Sequence, residues 1–180
     1  HVDCVRAAGE TRPALQDTAR SPWREMGLAM ALCNDAAIDA DGKLTGDPTE
    51  TALLAAAQVA GFAKHEWQAA MPRLAELPFD SERARMSTLH RDGEAVLMWV
   101  KGAPEGVLSL CVDQFAAGGV IPIDQAALQD EAEQLAAQGL RVLAFALKRL
   151  PVLPDTLDAA ALETGLSFIG LAGLIDPPRP

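Results

Sequence analysis

The sequence predicts an α+β domain: an antiparallel or mixed twisted sheet with helices packed on it. Three observations carry this reading. Arg91-Asp92-Gly93-Glu94 lies between two strand-like runs, Met86 to His90 and Ala95 to Lys101, and Asp-Gly in that setting is a strong hairpin signal. Two helices announce their own starts, at Asp47-Pro48-Thr49-Glu50 and at Asp124. The elements then run as helices, a hairpin and an alternating tail, which does not match a uniform βαβ array.

In chain order, Val2 to Ala7 reads as a strand followed by a loop to Ser21. Ser21-Pro22 opens a helix to Leu32, with Met26, Ala29, Met30 and Cys33 on one apolar face. The helix capped at Asp47 runs to Ala60 and stops near Gly61, and a shorter one follows over Lys64 to Met71. Glu76 to Asp80 is a short strand. Ala95 to Val100 is apolar at every position, as expected of a strand covered on both faces. Pro104 to Cys111 reads as a helix and Val120 to Ile123 as a strand. The helix after Asp124 presents Leu128, Ala132, Leu135 and Ala136 on one side and ends at Gly139. Leu140 to Leu150 and Ser167 to Ile175 are the last strands, separated by a loop with one helical turn, and Asp176-Pro177-Pro178 ends the pattern.

The chain has 180 residues, enough for one domain with a full core, and 49% of them are hydrophobic. A net charge of −10 and a pI near 4.7 argue against a nucleic-acid binder. The Thr51 to Ala63 stretch is too short and too interrupted to span a bilayer, and no signal-peptide pattern opens the chain. Cys4, Cys33 and Cys111 are too widely spaced for a metal site or disulfide framework and read as small core residues in a reducing compartment. Phosphate-loop, zinc-protease and nucleophile-elbow motifs are absent, and Asp35, Asp39 and Asp41 lack the spacing of a Ca²⁺ loop.

Lys101-Gly102-Ala103-Pro104-Glu105 is the most informative stretch. It puts a lysine at the mouth of a buried strand, beside a glycine that lets a ligand approach the backbone. On spacing alone, Lys101 reads as a solvated lysine ending a strand. Glu50 reads as a capping-box residue, Phe79 as core, and Arg83 and Arg85 as an exposed pair that would share a face with Phe79 if their segment is extended.

Taken together, Gly46-Asp47-Pro48-Thr49-Glu50-Thr51-Ala52-Leu53, Phe79-Asp80-Ser81-Glu82-Arg83, Lys101-Gly102-Ala103-Pro104-Glu105 and Asp176-Pro177-Pro178-Arg179 resemble the nucleotide-binding domain of P-type cation-transporting ATPases, of the Ca²⁺/Na⁺/K⁺-like branch. The resemblance extends from about Leu28 to the end. It implies a domain over residues 1–175, with 176–180 beginning a hinge into a phosphorylation domain. It implies that Phe79 stacks on adenine, Glu50 approaches the adenine amino group, and Lys101 and Gly102 line the pocket. Arg83 would add charge beside the base, Arg141 would reach toward the phosphates, and Asp176 would contact ribose or phosphate after domain closure. The implied ligand is ATP as Mg-ATP, with Mg²⁺ held mainly by the phosphorylation domain.

No Asp-Lys-Thr-Gly-Thr string occurs, so the expected role is to grip ATP and deliver its γ-phosphate to an aspartate of that neighbouring domain, with little turnover by this chain alone. The implied partners, in cis, are the phosphorylation and actuator domains and the membrane helices of a cation pump, on the cytoplasmic face of the plasma membrane. A second reading is an interaction module that keeps the fold and has lost nucleotide. Its support is the acidic charge and Ala84, which stands where many relatives carry lysine. That missing ammonium implies modest nucleotide affinity. Restoring it by Ala84→Lys is expected to tighten ATP binding in calorimetry, and an unchanged affinity would contradict this role for position 84.

Overall fold

The computed structural model describes residues 1–175. Its elements, in order, are β1 (Val2–Ala7), β2 (Glu10–Arg12), α1 (Trp23–Leu32), β3 (Ala37–Ile38), β4 (Leu44–Thr45), α2 (Pro48–Val59), α3 (Lys64–Ala70), β5 (Arg73–Asp80), β6 (Arg85–Asp92), β7 (Ala95–Gly102), α4 (Pro104–Leu108), β8 (Cys111–Ala116), β9 (Gly119–Pro122), α5 (Gln125–Ala137), β10 (Arg141–Leu150), α6 (Ala159–Leu162) and β11 (Leu166–Leu174). The α+β class expected from the sequence is the class observed. One sheet of nine strands follows the order β2-β1-β11-β10-β7-β6-β5. One edge of β11 is shared: β1 pairs antiparallel with its C-terminal half, and β8 pairs parallel with its start. Strand β9 continues the sheet beyond β8.

The sheet is covered on both faces, and side-chain alternation divides its residues between two cores. Trp99 of β7, Phe145 of β10 and Ile169 of β11 join Met26, Met30 and Leu32 of α1 and Leu53 of α2 in one core. Val96, Met98 and Val100 of β7 join Ala144 and Ala146 of β10, Leu128 and Leu135 of α5, and Val107 of α4 in the other. The all-apolar run of β7 is explained by this two-sided burial. Cys4, Cys33 and Cys111 are free thiols in these cores, as their spacing suggested.

The β6–β7 hairpin closes with Asp92 opposite Ala95, and Gly93 adopts φ +61°, the left-handed conformation such a two-residue turn requires. Asp47 caps α2, accepting from the backbone N–H groups of Thr49 (2.8 Å) and Glu50 (3.4 Å). Asp124 does the same for α5 through Ala127 N–H (3.0 Å).

Several elements differ from the sequence reading. The helix expected over Pro104 to Cys111 ends at Leu108, and Cys111 begins β8 by pairing with Leu166. A long-range ladder here overrides local helical preference. Strand β5 starts at Arg73, three residues before the expected Glu76. The pairs β1–β2 and β3–β4 add short hairpins where loops were expected. Pro122 is the last residue of β9, an edge strand that pairs with β8 alone, a position where proline is tolerated.

His90 of β6 is fully buried, with Nδ1 2.9 Å from the carbonyl of Met71. Burial pushes its pKa down from 6.5 to about 4; the Met71 carbonyl opposes the shift, and the Arg73 and Lys64 charges add to it. The unfolded chain therefore takes up a proton that the native state refuses between those two values. Native stability is expected to be complete above pH 6.5 and to fall as pH drops toward 4. Urea titrations across this window check it, and His90→Asn is expected to flatten the slope.

Candidate functional site

The site forms where four neighbouring strands of the sheet end or begin. Strand β5 finishes, β6 begins, β7 finishes and β10 begins on one side of the sheet, beside the N-terminus of α2. Between them lies a cavity of about 540 Å³, in the size range of a small-molecule pocket. Met86, Val142 and Leu143 give it an apolar surface. Glu50, Thr49 and Asp47 of the α2 start face Lys101 and Arg141 across it, and Phe79 and Ala84 form a wall.

Phe79 reaches this wall because β5 breaks its register. Leu77 pairs with Ser87 and Asp80 with Arg85, so β5 carries one extra residue there, a bulge that contains Pro78. Proline has no N–H to give the ladder, and β5 is an edge strand, where such a break is tolerated. Phe79 is released from pairing and is 65% exposed. Phe79 was expected at the site, and it stands in the cavity wall instead of the core.

Lys101 is buried, 6% exposed, because it is the penultimate residue of the doubly covered β7. Its ammonium is 2.7 Å from Glu50 Oε1, and Glu50 Oε2 accepts from the backbone N–H of Asp35 at 3.1 Å. Glu50 therefore does not close a capping box on Asp47. Its carboxylate neutralises Lys101 in the cavity, and Asp47 caps α2 alone. The loop that supplies Asp35 is held from behind by Lys64, which donates to the carbonyls of Asn34 and Ala36, both at 2.6 Å. Burial lowers the Lys64 pKa. Cys33 lies deeper, its thiol facing the carbonyls of Met86 and Trp99, and burial pushes its pKa up.

Gly102 lines the cavity, and its lack of a side chain has an internal cause. A Cβ at this position would come within 2.4 Å of Arg85 Cβ and 2.5 Å of the Ala84 carbonyl oxygen. Close packing of β7 on β6 therefore requires a glycine here independently of any ligand. Ala84 itself has φ +51°, with its N–H on the Asp80 carbonyl and its carbonyl accepting from Ala103.

Arg141 lies at the cavity edge, where Nη1 donates to Thr49 Oγ1 at 3.0 Å. Asp47, Thr49 and Arg141 also line an adjoining cavity of about 610 Å³. Arg83 is placed differently from the expectation. Residues 81–84 form a turn, not an extended strand. Arg83 Nη1 meets Glu163 at 2.6 Å, Arg85 Nε meets the same carboxylate at 2.7 Å, and Arg83 is not among the cavity-lining residues. Asp176 lies outside the described residues. Thus Glu50, Phe79, Lys101, Gly102 and Arg141 converge on one cavity and Arg83 does not. Sequence reasoning missed the apolar contributions of Met86, Val142 and Leu143; for the last two the unbroken apolar run that follows Arg141 was the available signal. It also missed Glu163, for which local pattern held no signal.

Among the described residues no group of histidines, cysteines and carboxylates could hold a metal ion, and no helix is long and apolar enough to cross a membrane.

The family profile described as "P-type ATPase, cytoplasmic domain N" matches residues 22–180. The chain is 43% identical over 157 residues to "Cation-transporting ATPase pma1" of Synechocystis sp., covering 85% of this chain and 17% of that protein. It is 41% identical over 156 residues to "Probable cation-transporting ATPase F" of Mycobacterium tuberculosis, with 84% and 17% covered. It is 37% identical over 169 residues to "Calcium-transporting ATPase 1" of Lactococcus lactis, with 92% and 19% covered. The chain belongs to the cytoplasmic N-domain family of P-type ATPases. It spans about a sixth of the length of the curated relatives it matches.

The contact that excludes a side chain at Gly102 makes a direct prediction. Gly102→Ala is expected to lower stability by about 1–3 kcal/mol, the usual cost of overpacking, read from denaturant midpoints. A neutral substitution would show that β6 and β7 approach less closely than described.

Proposed function

We propose that this domain binds the adenosine of ATP in the 540 Å³ cavity and presents its γ-phosphate to an aspartate of a neighbouring phosphorylation domain, within a cation-transporting pump of the Ca²⁺/Na⁺/K⁺-like branch. The observation that carries this is Phe79: a two-thirds exposed ring on the wall of an otherwise apolar-floored cavity, beside a buried Lys–Glu pair. A purine stacked on that ring would meet Met86 and Leu143. Its exocyclic amino group would find an acceptor in Glu50, which loses little by sharing a carboxylate already hydrogen-bonded twice.

The residues fit the adenosine end of ATP better than its triphosphate end. Lys101 is already balanced by Glu50, Arg83 is committed to Glu163, and Ala84 carries no charge. Arg141 lines the cavity edge, and the planar donors of a guanidinium would suit the phosphates there. Mg²⁺ would neutralise the phosphates and would be held mainly by the phosphorylation domain. This chain's own contribution is orientation, which raises the rate of transfer by proximity once the domains close. The domain would work on the cytoplasmic face of the membrane, in cis with the phosphorylation and actuator domains and the membrane helices.

Calorimetric titration with Mg-ATP tests the reading. Phe79→Ala is expected to weaken binding by about 1–3 kcal/mol, the worth of one base stacked on an aromatic ring. ATP binding unaffected by the loss of this ring would remove the assignment.

A further inference from the structure

The wall that carries Phe79 is tied to a distant part of the chain by one carboxylate. Glu163 ends α6, and its side chain is fully buried. Oε1 accepts from Arg83 Nη1 and from Ser87 Oγ, both at 2.6 Å, and Oε2 accepts from Arg85 Nε at 2.7 Å. The two guanidiniums then turn back onto the wall. Arg83 Nη2 donates to the Pro78 carbonyl at 2.7 Å, and Arg85 Nη1 donates to the Arg83 carbonyl at 2.9 Å. These two carbonyls bracket the segment that holds Phe79. Within it, Asp80 Oδ1 accepts from the N–H groups of Glu82 and Arg83, both at 2.9 Å.

Phe79 has little packing of its own to hold it, so its ring goes where this backbone goes. A buried ion cluster is weak evidence of net stabilisation, because desolvation offsets the attraction. What it does supply is geometry: each oxygen of Glu163 takes a charge-assisted bond from a different arginine, and such bonds fix directions closely. This cluster spends that directional control on an edge-strand bulge and a turn, the parts of the sheet least constrained by the ladder.

We propose that Glu163 is a positioning residue for the nucleotide base, holding the Pro78–Ala84 segment through Arg83 and Arg85 so that Phe79 keeps its place in the cavity wall. The role rests on the reading that Phe79 stacks on adenine. Under it, Arg83 acts through Phe79 and does not touch the phosphates.

The test measures ATP and AMP affinity, by calorimetry or by NMR titration where binding is weak. The proteins are this 180-residue chain and its variants Glu163→Gln, Arg83→Gln and Phe79→Ala, with the doubles Glu163→Gln/Phe79→Ala and Arg83→Gln/Phe79→Ala. In Glu163→Gln an amide group replaces one acceptor oxygen, so it no longer accepts from every donor now gathered there. Each of the two polar variants is expected to weaken ATP and AMP by the same factor, about tenfold, the low-to-middle part of what a lost stacking contact costs. On the Phe79→Ala background neither is expected to weaken binding further, because the contact they position is already gone. A loss that persists in the doubles overturns the proposal. So does a loss seen with ATP and not AMP, which would put Arg83 on the phosphates directly. Should Glu163→Gln not fold, Arg83→Gln carries the test, since it leaves Glu163 bonded to Arg85 and Ser87. Full affinity in both polar variants, with Phe79→Ala weakened, overturns the positioning role alone. An original chain that binds no ATP, or a Phe79→Ala that binds as well as it does, removes the nucleotide reading and the positioning role together.

Discussion

Burial of β7 on both faces is the constraint from which the site follows. A strand enclosed by β6 and β10 laterally and by helices above and below has no room for charge along its length. Polar chemistry is admitted where the strand ends, and that is where Lys101 and Gly102 stand. Even there Lys101 remains 6% exposed, so its ammonium needs a partner. Glu50 supplies it from the first turn of α2, and the backbone of Asp35 fixes the other carboxylate oxygen. The position of α2 against the sheet and the electrostatics of the cavity are therefore one arrangement.

Charge around the cavity is paired with little surplus. Lys101 is matched by Glu50, and Arg83 and Arg85 share Glu163. A protein of net charge −10 would lower its affinity for a polyanion by long-range repulsion, and pairing its local cations adds to that effect. Under the proposed reading, recognition in this cavity would rest on shape, on an aromatic face and on hydrogen-bond acceptors more than on electrostatic attraction.

Most of the secondary structure was readable because its causes are local. Asp47 and Asp124 cap their helices, Asp92-Gly93 turns its hairpin, and the apolar run of Ala95 to Val100 reports two-sided burial. The misreadings have non-local causes. The residues after Leu108 leave the helix because β11, more than fifty residues later in the chain, offers Cys111 a ladder. The length of β5 depends on pairing with β6, and nothing between Arg73 and Glu76 announces it.

The same division runs through the site. Sequence alone determined which chemistry is present: an aromatic residue, a lysine at a strand mouth, a glutamate at a helix start and an arginine at the head of β10, singled out together by the family resemblance their motifs carry. Tertiary structure decided which of these work together. It paired Glu50 with Lys101 instead of with the helix cap, and drew Arg83 away to Glu163 eighty residues distant. It also gave Gly102 a steric duty toward Arg85 and Ala84. The reason is physical: caps and turns are settled by groups a few bonds apart, whereas the partner of a buried charge is whichever opposite charge the packed fold brings within reach, and no local pattern encodes that meeting.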